Sequence, residues 1–266
     1  MKYGAMNLPL NPVLNEIELF SQMGFDYLEL TLDAPLAHYT VIRRQKKEIL
    51  QALGDHNMGL VCHLPTFVYT ADLTESIRRV SLEEMLASVE TAAELEPSKT
   101  VLHPGMVSGL GNIAKDTARK YAMESLKTIV SRAEETGLFL CLENMPPVAG
   151  LFTEPEEITE ILNLFPSQGM TLDVGHANIK KDAGKNRIKE FFRHAGKRIK
   201  HLHVSDNKGK RDDHFPVGKG TVDFPEIIRE LKGIGYAETV TLEIFTENRQ
   251  DLVRSRENFA DMLARA

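Results

Sequence analysis

The chain has 266 residues, 42% apolar and 26% charged, with a formal net charge of −6, a balance that suits a soluble enzyme with a full core and argues against a general nucleic-acid coat. No apolar run approaches the roughly 20 residues needed to span a bilayer. Met1-Lys2-Tyr3-Gly4 leads into a strand-like segment without the apolar stretch of a signal peptide, so a cytoplasmic protein, folded as one domain over residues 1–266, is expected.

In chain order, residues 2–6 predict a first strand, followed by a helix from Asn11-Pro12 to Gly24. Asp26 to Leu32 alternates apolar and polar side chains and predicts the second strand, with a helix through Arg43 to His56. The third strand ends at His63, before Pro65, and an amphipathic helix is expected over 81–95. The fourth ends at His103, and its helix runs from Asn112 to Glu135 and stops at Gly137. The fifth ends at Glu143; Pro155 then opens a helix at its first turn, where a missing N–H costs nothing. The sixth strand ends at Asp173 and the seventh near His203 to Asp206. A helix after Asp223-Phe224-Pro225 leads to Gly235, the eighth strand ends at Glu243, and a last helix closes the chain. Cys62 and Cys141 fall inside buried strands and are expected to be reduced fillers.

Strict alternation of strand and helix implies a parallel sheet covered by helices. Eight units favour a closed α/β barrel over an open sheet. No Gly-x-Gly-x-x-Gly follows the first strand, and no Walker-type Gly-Lys-Ser/Thr loop occurs, which removes the main signs of dinucleotide and nucleotide folds. Within this pattern six polar residues close six apolar runs: His63, His103, Glu143, Asp173, His203 and Glu243, at steps of 40, 40, 30, 30 and 40 residues. In a parallel barrel the carboxyl ends of the strands meet in one place. The six would then converge on one pocket that reads as a metal site.

Each segment also has a plainer reading. In Asp173-Val174-Gly175-His176 the acid and the imidazole suit Zn²⁺ or Mn²⁺, or Asp173 caps the next helix. His201 and His203 share one strand face; His203, nearer the carboxyl end, is the better ligand, while a structural role is expected for His201. Asp206 is placed to orient a histidine. Asp212 and His214 could reach one ion, or lie on a solvated loop. Glu29 faces the mouth in Leu28-Glu29-Leu30 without an evident partner.

The segments Leu142-Glu143-Asn144, Leu172-Asp173-Val174-Gly175-His176, His203-Val204-Ser205-Asp206, Asp212-Asp213-His214 and Leu242-Glu243 resemble the xylose isomerase-like barrel superfamily. That group includes sugar-phosphate isomerases and epimerases, inosose dehydratases and endonuclease IV. The resemblance implies a single xylose isomerase-like (β/α)8 TIM barrel and a divalent metal, Zn²⁺ or Mn²⁺ before Mg²⁺ or Co²⁺. On the epimerase pattern, Glu143, Asp173, His203 and Glu243 would hold one ion and His176 would contact the substrate. Glu143 and Glu243 would remove and return a proton through a metal-held enediolate. The partner would be a sugar or a sugar phosphate.

The endonuclease IV pattern implies a zinc cluster on His63, His103, Glu143, Asp173, His176, His203, Asp212, His214 and Glu243, with abasic DNA as substrate. Against it, aromatic residues make up 7% and tryptophan is absent, which limits base stacking. Residues 180–211 hold 12 Lys/Arg against 3 Asp/Glu, a net of +9 that leaves −15 elsewhere. That run is either a solvated face or a phosphate-steering surface, with Lys208, Lys210 and Arg211 the expected phosphate contacts. An inosose dehydratase-type lyase is a further alternative. The metal's identity, the sugar and any oligomer of outer helices stay open.

Overall fold

A computed structural model describes residues 1–179 and 187–266. Strands β1 (Lys2–Met6), β2 (Tyr27–Thr31), β3 (Gly59–His63), β4 (Thr100–Leu102), β5 (Leu140–Glu143), β6 (Gly169–Asp173), β7 (Ile199–Val204) and β8 (Thr239–Leu242) pair in parallel in chain order. β8 returns to β1 through Lys2↔Thr239 to Ala5↔Leu242 and closes the barrel. The (β/α)8 TIM barrel expected from the alternation is therefore the observed fold. Outside it lie α1 (Val13–Gln22), α2 (Tyr39–Asp55), α3 (Glu75–Leu95), α4 (Lys115–Glu135), α5 (Pro155–Leu164), α6 (Val174–Asn178), α7 (Arg187–Ala195), α8 (Phe224–Ile234) and α9 (Gln250–Arg265). Among the described residues, no helix is long and apolar enough to cross a membrane.

Strand periodicity sorts the side chains into two shells. Outward residues such as Leu28, Leu30, Cys62, Leu142, Leu172 and Leu202 join Phe20, Ile42, Val89, Leu126, Phe191 and Phe259 of the helices in one buried core. Burial of each such side chain contributes about 1.5–3 kcal/mol, so the apolar shell between barrel and helices carries the stability. The inward shell differs. Tyr27, Val61 and Val101 form a small separate cluster, and Gly4 makes room for the Tyr27 ring, which a Cβ at that position would strike. Above this cluster the inward positions are polar, and the site is built from them.

Local chemistry sets the element ends. Asp223 accepts from the Glu226 N–H at 3.0 Å to start α8, and Gly235 ends it in the left-handed region at φ 67°. Glu154 and Glu157 form a reciprocal capping box at the start of α5. α3 begins at Glu75, before the predicted residue 81. Asp72 holds the Thr74 N–H at 2.7 Å in the preceding turn, while Ile77 and Val80 face solvent, so no apolar stripe marks the first turns. Likewise a 3₁₀ turn over Gly109–Asn112 precedes α4, which starts at Lys115 instead of Asn112. Pairing of β6 with β7 shifts register between Met170↔Ile199 and Thr171↔His201. Lys200 is the extra residue of this bulge, and beyond it His201 and His203 stand opposite Thr171 and Asp173.

Candidate metal centre and active site

Four strand ends deliver four ligand groups to one point. Glu143 ends β5, Asp173 ends β6, His203 is next to last in β7, and Glu243 directly follows β8. One ligand atom from each lies within 4.8 Å of the others. His203 Nδ1 is 3.0 Å from Glu243 Oε2, 3.4 Å from Glu143 Oε1 and 3.8 Å from Asp173 Oδ2. Asn144 clamps the two strand ends together, donating to the Asp173 carbonyl at 2.9 Å and accepting from the Asp173 N–H at 2.8 Å.

A second group shares Glu143. His63 and His103 present Nε2 to Glu143 Oε2 at 3.5 and 3.2 Å, and ligand atoms of these three also lie within 4.8 Å of one another. On the remaining side, Asp212 Oδ2 lies 3.0 Å from His176 Nε2 and 2.9 Å from His214 Nε2. Three of these rings are anchored by main-chain carbonyls. Nδ1 donates to Leu64 O from His63 (2.7 Å), to Asn144 O from His176 (2.9 Å) and to Glu243 O from His214 (3.1 Å). A carbonyl only accepts, so each ring carries a proton at Nδ1, and Nε2 faces the acids. Metal-binding histidines are held in this way.

The cluster lacks hydrogen bonds where a cation would sit. Both carboxylate oxygens of Glu143, Asp173 Oδ2, Glu243 Oε2, Asp212 Oδ1 and His203 Nδ1 are buried without a hydrogen-bond partner. Such atoms are costly unless paired. Burial pushes the Asp173 carboxyl up to about 7; His176 opposes this, and the charges of Glu243, Glu143 and Asp212 add to it. Burial would likewise raise Glu143 and Glu243, but His203 and the histidines around them hold both below the usual carboxylate range. Burial would lower His176 and His214, but the surrounding acids raise both, His214 to about 9. Crowded carboxylates, orphaned oxygens and pre-aimed imidazoles fit a divalent cation, and the mixed N/O donor set suits Zn²⁺ or Mn²⁺.

A cavity of about 380 Å³ opens over this cluster. His103, His176, Asp212, His214 and Glu243 form its floor, and Phe67, Met106, Met145, Val148 and Phe245 contribute to its walls. Its size suits a small molecule.

The model of the family described as "Xylose isomerase-like TIM barrel" matches residues 17–264. The chain belongs to this family. It is 29% identical over 269 residues to an uncharacterized protein of Methanocaldococcus jannaschii, covering 99% of this chain and 89% of the relative. Fructoselysine 3-epimerase of Shigella flexneri is 23% identical over 254 residues, covering 91% of this chain and 88% of that enzyme. The crystal structure of a D-tagatose 3-epimerase-like protein superposes with a TM-score of 0.85 at 27% identity, covering 100% of this chain and 99% of that one.

In this xylose isomerase-like barrel, all nine residues expected as ligands lie at the carboxyl end of the strands, grouped as described. Asp173 stands in the four-residue group and also caps α6, since Oδ1 accepts from the His176 N–H at 2.6 Å. His201 lies in the core, bonded to Glu29 and Thr239 at 2.9 and 2.7 Å. Asp206 does not orient a histidine: its carboxylate accepts the N–H groups of Gly218, Gly220 and Val222 and ties down the loop after β7. Glu29 is the carboxylate that holds His203, accepting from Nε2 at 2.8 Å. Burial would raise its carboxyl, but His203 and His201 hold it well below the usual range.

Lys208, Lys210 and Arg211 are exposed and do not line the cavity. Lys208 Nζ lies 5.8 Å from the Phe215 ring centre, and Arg211 Nε is 3.6 Å from Asp213. Of the basic run, residues 180–186 lie outside the described residues. Elsewhere in it Lys189 faces Glu226 and Glu230, Arg193 pairs with Glu190, Lys200 faces Glu238, and Arg198 donates to main-chain carbonyls. Lys189, Arg193 and Lys200 are thus paired with acids on the outside of the barrel.

Proposed function

We propose that the chain is a divalent-metal-dependent epimerase or isomerase of a sugar, moving a proton at the carbon beside a carbonyl. The observation that carries this reading is the placing of Glu143 and Glu243. They stand at the ends of β5 and β8, separate walls of the barrel, and meet at the same His203 nitrogen, each with a carboxylate oxygen that no hydrogen bond engages. The likeness to a sugar 3-epimerase and to a tagatose 3-epimerase-like structure supports it.

Glu143, Asp173, His203 and Glu243 are the residues that would hold the ion, which would polarise the substrate oxygens and stabilise the anion left by proton removal. One glutamate takes the proton from its face of the substrate, and the other delivers a proton from the opposite face, which inverts the carbon. His176, fixed between Asn144 and Asp212, lines the cavity floor and would contact the substrate.

A second reading, an endonuclease IV-like phosphodiesterase, is favoured by one observation: His63 and His103 form a further ligand group on Glu143. A ketose panel in D₂O with Mn²⁺ separates the two. The proposal expects deuterium to enter one ketose beside its carbonyl and the epimer to accumulate. No exchange with any ketose, together with cleavage of an abasic duplex, would overturn it in favour of the nuclease.

A further inference from the structure

Beneath the ligand groups, the polar residues of the barrel interior form one hydrogen-bonded column. Glu29 on β2 is fully buried and bridges two histidines of β7: Oε1 lies 2.8 Å from His203 Nε2, and Oε2 lies 2.9 Å from His201 Nε2. The Thr241 hydroxyl also donates to Oε2. A carboxylate only accepts, so both rings carry a proton on Nε2, and the Thr241 oxygen is left to accept from Tyr27 O–H at 2.8 Å. His201 then has Nδ1 free to accept the Thr239 hydroxyl proton at 2.7 Å. The Thr239 oxygen in turn accepts from Lys99 Nζ at 3.1 Å, and Lys99 pairs with Glu238 at 2.8 Å. Chemistry thus sets the direction of each link, from the Lys99–Glu238 pair to His203.

The upper end of the column decides what His203 can do. With Nε2 committed to Glu29, its Nδ1 faces Glu143, Asp173 and Glu243. A ring with its only proton on Nδ1 would set the Nε2 lone pair against the Glu29 carboxylate, a repulsion between buried groups.

We infer that Glu29, braced by His201 and Thr239, is a positioning residue that makes His203 a ligand through Nδ1, by fixing its tautomer and ring plane. The inference rests on the metal reading above and adds to it residues that touch neither ion nor substrate. Outer carboxylates of this kind change metal affinity by about 10–100-fold when removed.

The test uses the full chain stripped by chelator and titrated with Co²⁺, whose visible absorption reports ligand geometry. Glu29→Gln keeps the shape but offers one acceptor oxygen where two Nε2–H groups need one each. It should bind Co²⁺ about 10–100-fold more weakly than wild type, with an altered visible spectrum, and Thr239→Val should show a smaller loss in the same direction. Equal affinity and an identical spectrum in folded Glu29→Gln would overturn the inference. Should that variant not fold, ¹⁵N-histidine NMR of the Zn²⁺-loaded wild type decides. A proton on His203 Nε2 is expected, and a proton on Nδ1 would overturn the inference. Wild type that binds no Co²⁺ would instead remove the metal reading, and the inference with it.

Discussion

Glu143→Gln should lower ketose proton exchange by about 10²–10⁴-fold, the range that a positioned acid–base group contributes. Glu143 belongs to the group with Asp173, His203 and Glu243 and to the group with His63 and His103, and has neither carboxylate oxygen in a hydrogen bond. The amide keeps the volume of the side chain but cannot take a proton, and it offers a weaker ligand. Glu243→Gln should lose activity to a similar degree, because inversion needs a group on each face. Near-unchanged near-ultraviolet circular dichroism would show that the loss is chemical. Exchange by Glu143→Gln within tenfold of wild type, at saturating metal, would rule out its role in moving the proton.

Divalent-metal affinity should fall as pH drops below about 7, by at least tenfold per pH unit. Buried Asp173, pushed up to about 7, holds a proton below that pH, and an incoming ion must displace it. His203 is shifted in the same direction: burial would lower it, but Glu29 and the other acids raise it well above its ordinary value. It too must give up a proton. The stability signs follow. Because Asp173 has a raised folded value, its contribution is present below the ordinary aspartate range and is lost as pH rises toward about 7. Glu143 and Glu243, both lowered, act the other way: their contribution is present above the ordinary glutamate range and is lost as pH falls through their lowered values. The thermal stabilisation given by Zn²⁺ should therefore grow with pH across the neutral range. Asp173→Asn should show a shallower dependence in a calorimetric titration from pH 5.5 to 8.5, and a flat wild-type profile would contradict the assignment.

Much of the barrel could be read from the chain because it rests on local signals. Apolar runs, capping residues such as Asp223 and the regular spacing from His63 to Glu243 are each visible within a few tens of residues. What escaped depends on closure. Glu29 meets His201 and His203 across 172 and 174 residues, so no neighbour in sequence announces its role. A signal did exist: Tyr27, Glu29 and Thr31 alternate with Leu28 and Leu30, which put a carboxylate on the inward face. Nearness in sequence to His203 suggests a contact for Asp206. Its oxygens instead meet N–H groups of a loop that returns after Gly218. The bulge at Lys200 leaves no mark in a strand that is already apolar and histidine-rich. For Lys208, Lys210 and Arg211, a position just after a ligand strand did not mean pointing inward, since long charged side chains gain more from water than from an apolar-walled cavity.

The most direct test of the account is the number of divalent ions retained per chain after extensive dialysis, measured by mass spectrometry of the metals on untagged wild type and on His203→Ala. The account predicts at least one ion on wild type, released in the variant, because His203 Nδ1 is where Glu143, Asp173 and Glu243 converge. A wild-type chain that holds no divalent ion, even when supplied with Zn²⁺ or Mn²⁺, would contradict it.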